Sequence, residues 1–178
     1  MNLIRNRLPS RSEIISVFGV VVFACHSWTM LGFLNKLSSF LLYFSVGEIL
    51  SIFAYMMSVA LLESIAVMIL LVLLSVLLPS NWLRDGFAYK GFVIVVIATA
   101  ASILFQKFLP DDYPSALMLT VSTLVPLILI VVLIGVSQSF PRLRSLLLDI
   151  QDRISIMLFI YVPIGIFSLM VVVFRNLL

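Results

Sequence analysis

Long apolar stretches separated by short polar breaks organise this chain. Ile14–Leu34, Val46–Leu78, Gly91–Leu109, Ala116–Val136 and Ile154–Phe174 each reach, or nearly reach, the roughly 20 residues a helix needs to bridge about 30 Å of hydrocarbon. The pattern predicts an all-α integral membrane protein. It is read as a bundle of five transmembrane helices, over about 14–34, 46–78, 91–109, 115–136 and 154–174, forming one domain across residues 1–178.

Two stretches predict short interfacial helices. Leu37, Phe40, Leu41 and Phe44 recur at helical spacing with Ser38 and Ser39 on another face, which fits a short helix at the outer interface. Pro141 can open an amphipathic helix in which Leu143, Leu146, Leu147, Ile150 and Ile154 share a face, either lying on the cytoplasmic surface or extending the fifth span. Asp149 and Arg153 are spaced there for an i,i+4 ion pair. The breaks have their own chemistry. Pro79-Ser80-Asn81 ends the second span, Asp85-Gly86 signals a turn, and Pro110-Asp111-Asp112-Tyr113-Pro114 is a turn in which Asp112 can cap the fourth helix.

Loop charge sets the threading. The segment from Leu37 to Leu78 is long enough to cross twice, and no proline or charged turn divides it. If it crosses once, one side holds Arg5, Arg7, Arg11, Arg84, Lys90, Arg142, Arg144 and Arg153, while the other holds Lys36, Lys107 and Arg175. If it crosses twice, that bias vanishes. Because Lys and Arg concentrate in cytoplasmic loops, the expectation is five spans with the N-terminus cytoplasmic and the C-terminus outside. Trp82, Tyr89, Arg142 and Arg144 are the expected interfacial anchors, suited to the headgroup layer.

Composition agrees with this picture. Hydrophobic residues make up 63% of the chain and charged ones 11%, well under the roughly 25% of soluble domains. Mean hydropathy is +1.26. The net charge of +3 is spread over loops beside apolar runs, which reads as topology and lipid contact and not as a nucleic-acid surface. A single cysteine, Cys25, excludes an internal disulfide. Val22-Phe23-Ala24-Cys25 hints at a lipoprotein cleavage site, but Phe23 is bulky and the apolar run continues to Leu34, so an uncleaved first span is the simpler reading.

Few polar groups fall within the spans. Glu63 lies mid-span beside Ala60 and Ser64, and a carboxylate at that depth is costly unless protonated, paired or facing a cavity. The small neighbours favour an inward, helix-contacting position. His26 on the first span is its candidate partner, as a structural hydrogen bond or a proton-handling pair. Glu48 falls near the outer end of the second span, within reach of interfacial water and Lys36. Pro126 in the fourth span and Pro163 with Gly165 in the fifth predict helix kinks, and Thr120, Ser122 and Thr123 can satisfy carbonyls freed by Pro126.

No phosphate-binding glycine loop, zinc-protease helix or nucleophile elbow is present in the sequence, and no cofactor or metal is expected. The expected role is a non-catalytic membrane subunit or scaffold. Its expected partners are the lipid bilayer and a membrane protein or a second copy of the chain, in a bacterial inner membrane. The alternative is a small carrier or channel with Glu63 and His26 on a proton or ion path. In topology alone, five spans with an outer C-terminus resemble the membrane portion of phosphoethanolamine transferases and lipoteichoic acid synthases, which implies a third possibility, a part in lipid modification.

Overall fold

The computed structural model describes residues 8–80, 82–108 and 115–177. Among these residues the chain forms six helices and no strand: α1 (Arg11–Tyr43), α2 (Val46–Leu77), α3 (Phe87–Phe108), α4 (Ala116–Ser139), α5 (Pro141–Ser155) and α6 (Leu158–Leu177). All but α5 are long and apolar enough to cross a membrane.

The helix ends follow local chemistry. Ser10 and Glu13 form a reciprocal cap at the start of α1: the Glu13 N–H donates to Ser10 Oγ at 3.3 Å and the Ser10 N–H to Glu13 Oε2 at 3.1 Å. The same S-x-x-E spacing recurs at Ser45 and Glu48, where the Ser45 N–H and hydroxyl each donate to Glu48 Oε2 at 2.8 Å. That second cap starts α2 immediately after α1 ends, with Phe44 and Ser45 both in extended backbone.

This turn corrects the expectation for residues 37–44. They are not a separate interfacial helix but the last two turns of α1, which runs 33 residues before reversing into the 32 residues of α2. Each arm is about 50 Å long at 1.5 Å per residue, so the hairpin outreaches the other helices. The Leu37–Leu78 ambiguity is resolved as one candidate span, because α2 is unbroken from Val46 to Leu77.

α1 is the central helix and packs on α2, α3, α5 and α6. Val17, Val20, Val21, Met68, Leu71, Leu83, Phe87, Phe92 and Val95 form the buried core around its first half. For helices set in lipid, burial of this kind would be a weaker driving force than in water, and close backbone approach would matter more. Gly19 supplies it: a Cβ there would come within 2.7 Å of the Ser155 Cα at the end of α5. α6 packs along α2, and its Asn176 amide donates to the Tyr55 hydroxyl at 2.7 Å. α4 is peripheral, packed mainly on α3 and α5, and no residue of its most apolar window is buried.

The contacts define two poles. At one, α5 lies against the start of α1, and the Gln151 amide donates to Ser16 Oγ at 2.9 Å. At the other, Phe44, Glu48, Tyr55 and Arg175 surround a shared hollow. The pole of the α1 start carries Arg11, Arg84, Arg142, Arg144 and Arg153, while Lys36, Lys107 and Arg175 sit towards the other. Arg5, Arg7 and the residues 109–114, Asp112 among them, lie outside the described residues. The N-cap of α4 is Ser115, whose hydroxyl accepts from the Met118 N–H at 3.2 Å.

α5 opens at Pro141, as the sequence predicts, and is a helix distinct from α6, with Ile156 and Met157 turning between them. Its packed stripe is rotated from the expected one. Leu147, Gln151 and Ile154 face the bundle, whereas Leu146 and Ile150 are exposed. The cause is α1, which offers the polar Ser16 and the bare Gly19 at this crossing, so a polar and a small residue pack there. The expected Asp149–Arg153 ion pair is not formed, and Asp152 accepts from the Ser16 hydroxyl at 3.4 Å.

Candidate functional site

His26 and Glu63 are held on different sides of the α1–α2 pair. On α2 the buried stripe runs through Ala54, Met57, Ala60, Leu61, Ser64, Met68 and Leu71. Glu63 is one residue, about 100° of helical turn, from Ser64, and it falls outside that stripe and is exposed. The inward position expected for Glu63 is therefore taken by its small neighbours, Ala60 and Ser64, both fully buried.

His26 is fully buried and turns towards α6. Its Nδ1 lies 3.0 Å from the Val22 carbonyl one turn earlier, so Nδ1 carries the proton and Nε2 is left as an acceptor. Nε2 has no hydrogen-bond partner. It faces Gly165, where a Cβ would lie 3.1 Å away, and the ring stands 5.4 Å from the Tyr161 ring. The Tyr161 hydroxyl in turn lies 3.1 Å from Ser27 Oγ. The expected His26–Glu63 hydrogen bond is absent, and His26 instead belongs to an α1–α6 seam.

Glu63 lines two adjoining grooves. One, of about 430 Å³, runs between α1, α2 and α3 past Cys25, Trp28, Leu70, Thr99 and Ser102. The other, of about 410 Å³, runs along the α1–α2 seam past Trp28, Thr29, Tyr55 and Met56. Glu63 and Trp28 are common to both. Among the described residues no side chain donates to the Glu63 carboxylate or pairs with it.

The two prolines lie inside helices, as expected. Around Pro126 the hydroxyls do not reach the carbonyl that lost its donor. That carbonyl belongs to Ser122, four residues back. Thr120 donates to Ala116 O, Ser122 to Leu119 O and Thr123 to Leu119 O and Thr120 O, all one turn nearer the N-terminus. Gly165 serves as a contact surface for His26 and Leu61. Pro163 lies two residues before it, on an exposed face of α6.

The anchors divide. Trp82, Arg142 and Arg144 are exposed, but Tyr89 is buried. Gly86 adopts φ +78°, and its bare Cα is covered by the Tyr89 ring. The Arg144 guanidinium sits 4.8 Å from the centre of that ring, and the ammonium of Lys90 lies 5.7 Å from it. Lys90, expected in a loop, is a buried residue of the first turn of α3. Gln151, Tyr161 and Tyr55 carry interhelical hydrogen bonds that periodicity alone did not single out, since the two tyrosines look like polar residues in apolar runs and Gln151 like one more polar residue of a charged segment.

No protein-family model, no curated protein and no solved structure matches this chain.

Proposed function

We propose that the chain is a non-catalytic integral membrane subunit that binds a second membrane protein through α4. The observation that carries this is the attachment of α4: a 24-residue apolar helix, held along one edge by α3 and α5, with none of its most apolar window buried. In lipid such a helix is stable alone, but its free faces are also where another transmembrane helix can pack.

The interior supports a structural role. Buried hydroxyls close on carbonyls of their own helices: Ser58 on Ala54, Ser64 on Ala60, Ser75 on Val72 and Ser137 on Ile134. Each of these hydroxyl hydrogens is satisfied within its own helix, so the buried serines need no ligand or water to offset their burial. The setting proposed is a bacterial inner membrane, and the charge sorting favours the α1 start and α5 on its cytoplasmic side, because that pole holds most of the arginines.

Site-specific photo-crosslinking in native membranes tests the proposal. A crosslinking residue at Leu124 or Val131 of α4 is expected to give one discrete adduct, and at Leu50 or Ile69 of α2 none. Diffuse lipid adducts from all four positions contradict it. So does a proton or ion flux in reconstituted vesicles that Glu63→Gln abolishes, which would instead support the carrier. A discrete adduct with a second copy identifies a homo-oligomer.

A further inference from the structure

The two grooves that meet at Glu63 differ in polarity along the helix axis. α1 and α3 run in parallel, and Gly91 lies against Val17. Eleven residues further along each helix stand Trp28 and Ser102, which therefore share a level. Both line the larger groove with Glu63. On the side of the arginine-rich pole that groove is walled by Val21, Leu70, Leu71, Leu74 and Val95, with no polar side chain. On the other side, the smaller groove leads past Thr29 to Tyr55, near the opposite end of the bundle.

We propose that this groove binds a monocationic amphiphile, an ammonium group attached to an apolar body. The carboxylate is exposed at membrane depth, and no described side chain neutralises it. A bare carboxylate there is unfavourable unless it takes up a proton or meets a counter-cation, and a cationic ligand supplies the second. Trp28 presents the ring best suited to a cation, at the same level. Ser102 offers oxygen lone pairs to a nearby positive charge as an ion–dipole contact, since its hydroxyl hydrogen is used on Ala98 O. The apolar channel from Glu63 to Leu74 spans eleven residues of α2, about 16 Å, enough for a dodecyl-length tail. A metal ion is disfavoured, because no second carboxylate, imidazole or thiolate completes a set of three with Glu63 among the described residues.

The occupant would enter with its head at the Tyr55 end and its tail towards the arginine-rich pole. Held apart from His26, the Glu63 carboxylate is not consumed by the bundle and remains available to a ligand.

Equilibrium binding of radiolabelled dodecyltrimethylammonium to the full chain in nanodiscs tests this, with empty nanodiscs as the partition control. Saturable binding of one cation per chain is expected, displaced by unlabelled dodecyltrimethylammonium but not by dodecanol or dodecyl sulfate. Glu63→Gln is expected to weaken it at least tenfold, and Trp28→Leu severalfold. Glu48→Gln, at the far end of α2, leaves it unchanged. Ala98→Trp, which fills the groove without touching a charge, is expected to abolish binding while the carboxylate remains, so the test does not depend on how well Glu63→Gln folds. Non-saturable uptake, equal displacement by dodecanol, or undiminished affinity in Ala98→Trp and Glu63→Gln overturns the proposal. Equal displacement by dodecanol would also mark the groove as a site for uncharged lipid.

Discussion

His26 of α1 and Gly165 of α6 meet face to face: a Cβ built on Gly165 would lie 3.1 Å from His26 Nε2 and 3.1 Å from Leu61 Cβ. Three helices converge at this point, and the missing side chain lets them do so. Gly165→Val is expected to force α6 away from the α1–α2 pair and to destabilise the protein by about 1–3 kcal/mol, the usual cost of overpacking. Gly135→Val on α4 has open space around it and is the control. Thermal unfolding in one detergent compares the two.

The imidazole itself contributes less than its burial suggests. Nε2 is a buried acceptor without a donor, and the Nδ1 bond stays within α1. Removing an unsatisfied polar atom is nearly neutral or favourable when the shape is kept. His26→Leu is therefore expected to change stability by less than about 1 kcal/mol. A hydrogen-bonded acid–imidazole pair makes the opposite prediction, a loss of several kcal/mol from breaking a buried pair. Unfolding of His26→Leu beside Glu63→Gln decides between them.

Gly86 has a different duty. Its φ of +78° is one that a side chain rarely adopts, and Tyr89 occupies the place of the missing Cβ. Gly86→Ala is expected to cost about 1–3 kcal/mol through backbone strain alone, and more through displacement of the ring. Because Arg144 stacks on that ring, the α5–α3 contact should loosen with it. Faster protease cleavage after Arg142 or Arg144 in the variant checks this coupling.

The apolar runs made the five long helices legible, because length and composition alone meet the demands of a bilayer. Pro141 likewise revealed the start of α5. The α1–α2 turn was legible too, but in a signal that apolar periodicity hides. Ser45-Val46-Gly47-Glu48 repeats the spacing of Ser10-Arg11-Ser12-Glu13, and both sit at helix starts. The direction of Glu63 was not legible. In a helix apolar on every side, no hydrophobic face marks the inside, so small residues at 60 and 64 point to the packed stripe only for themselves. Gln151 was hidden for the reverse reason: a polar residue on an apolar face is accommodated because Ser16 arrives from a helix over a hundred positions away.

The proposed threading sets two poles on opposite sides of a membrane, with the α1–α2 turn at one and the α4–α5 turn at the other. Single cysteines placed in a Cys25→Ser background at Ser45 and at Ser139, probed with a membrane-impermeant maleimide, test it directly. Labelling at position 45 in sealed cells, with position 139 reacting only after the membrane is opened, is the result expected. Equal labelling of both positions in sealed cells would contradict a chain that crosses the bilayer between them.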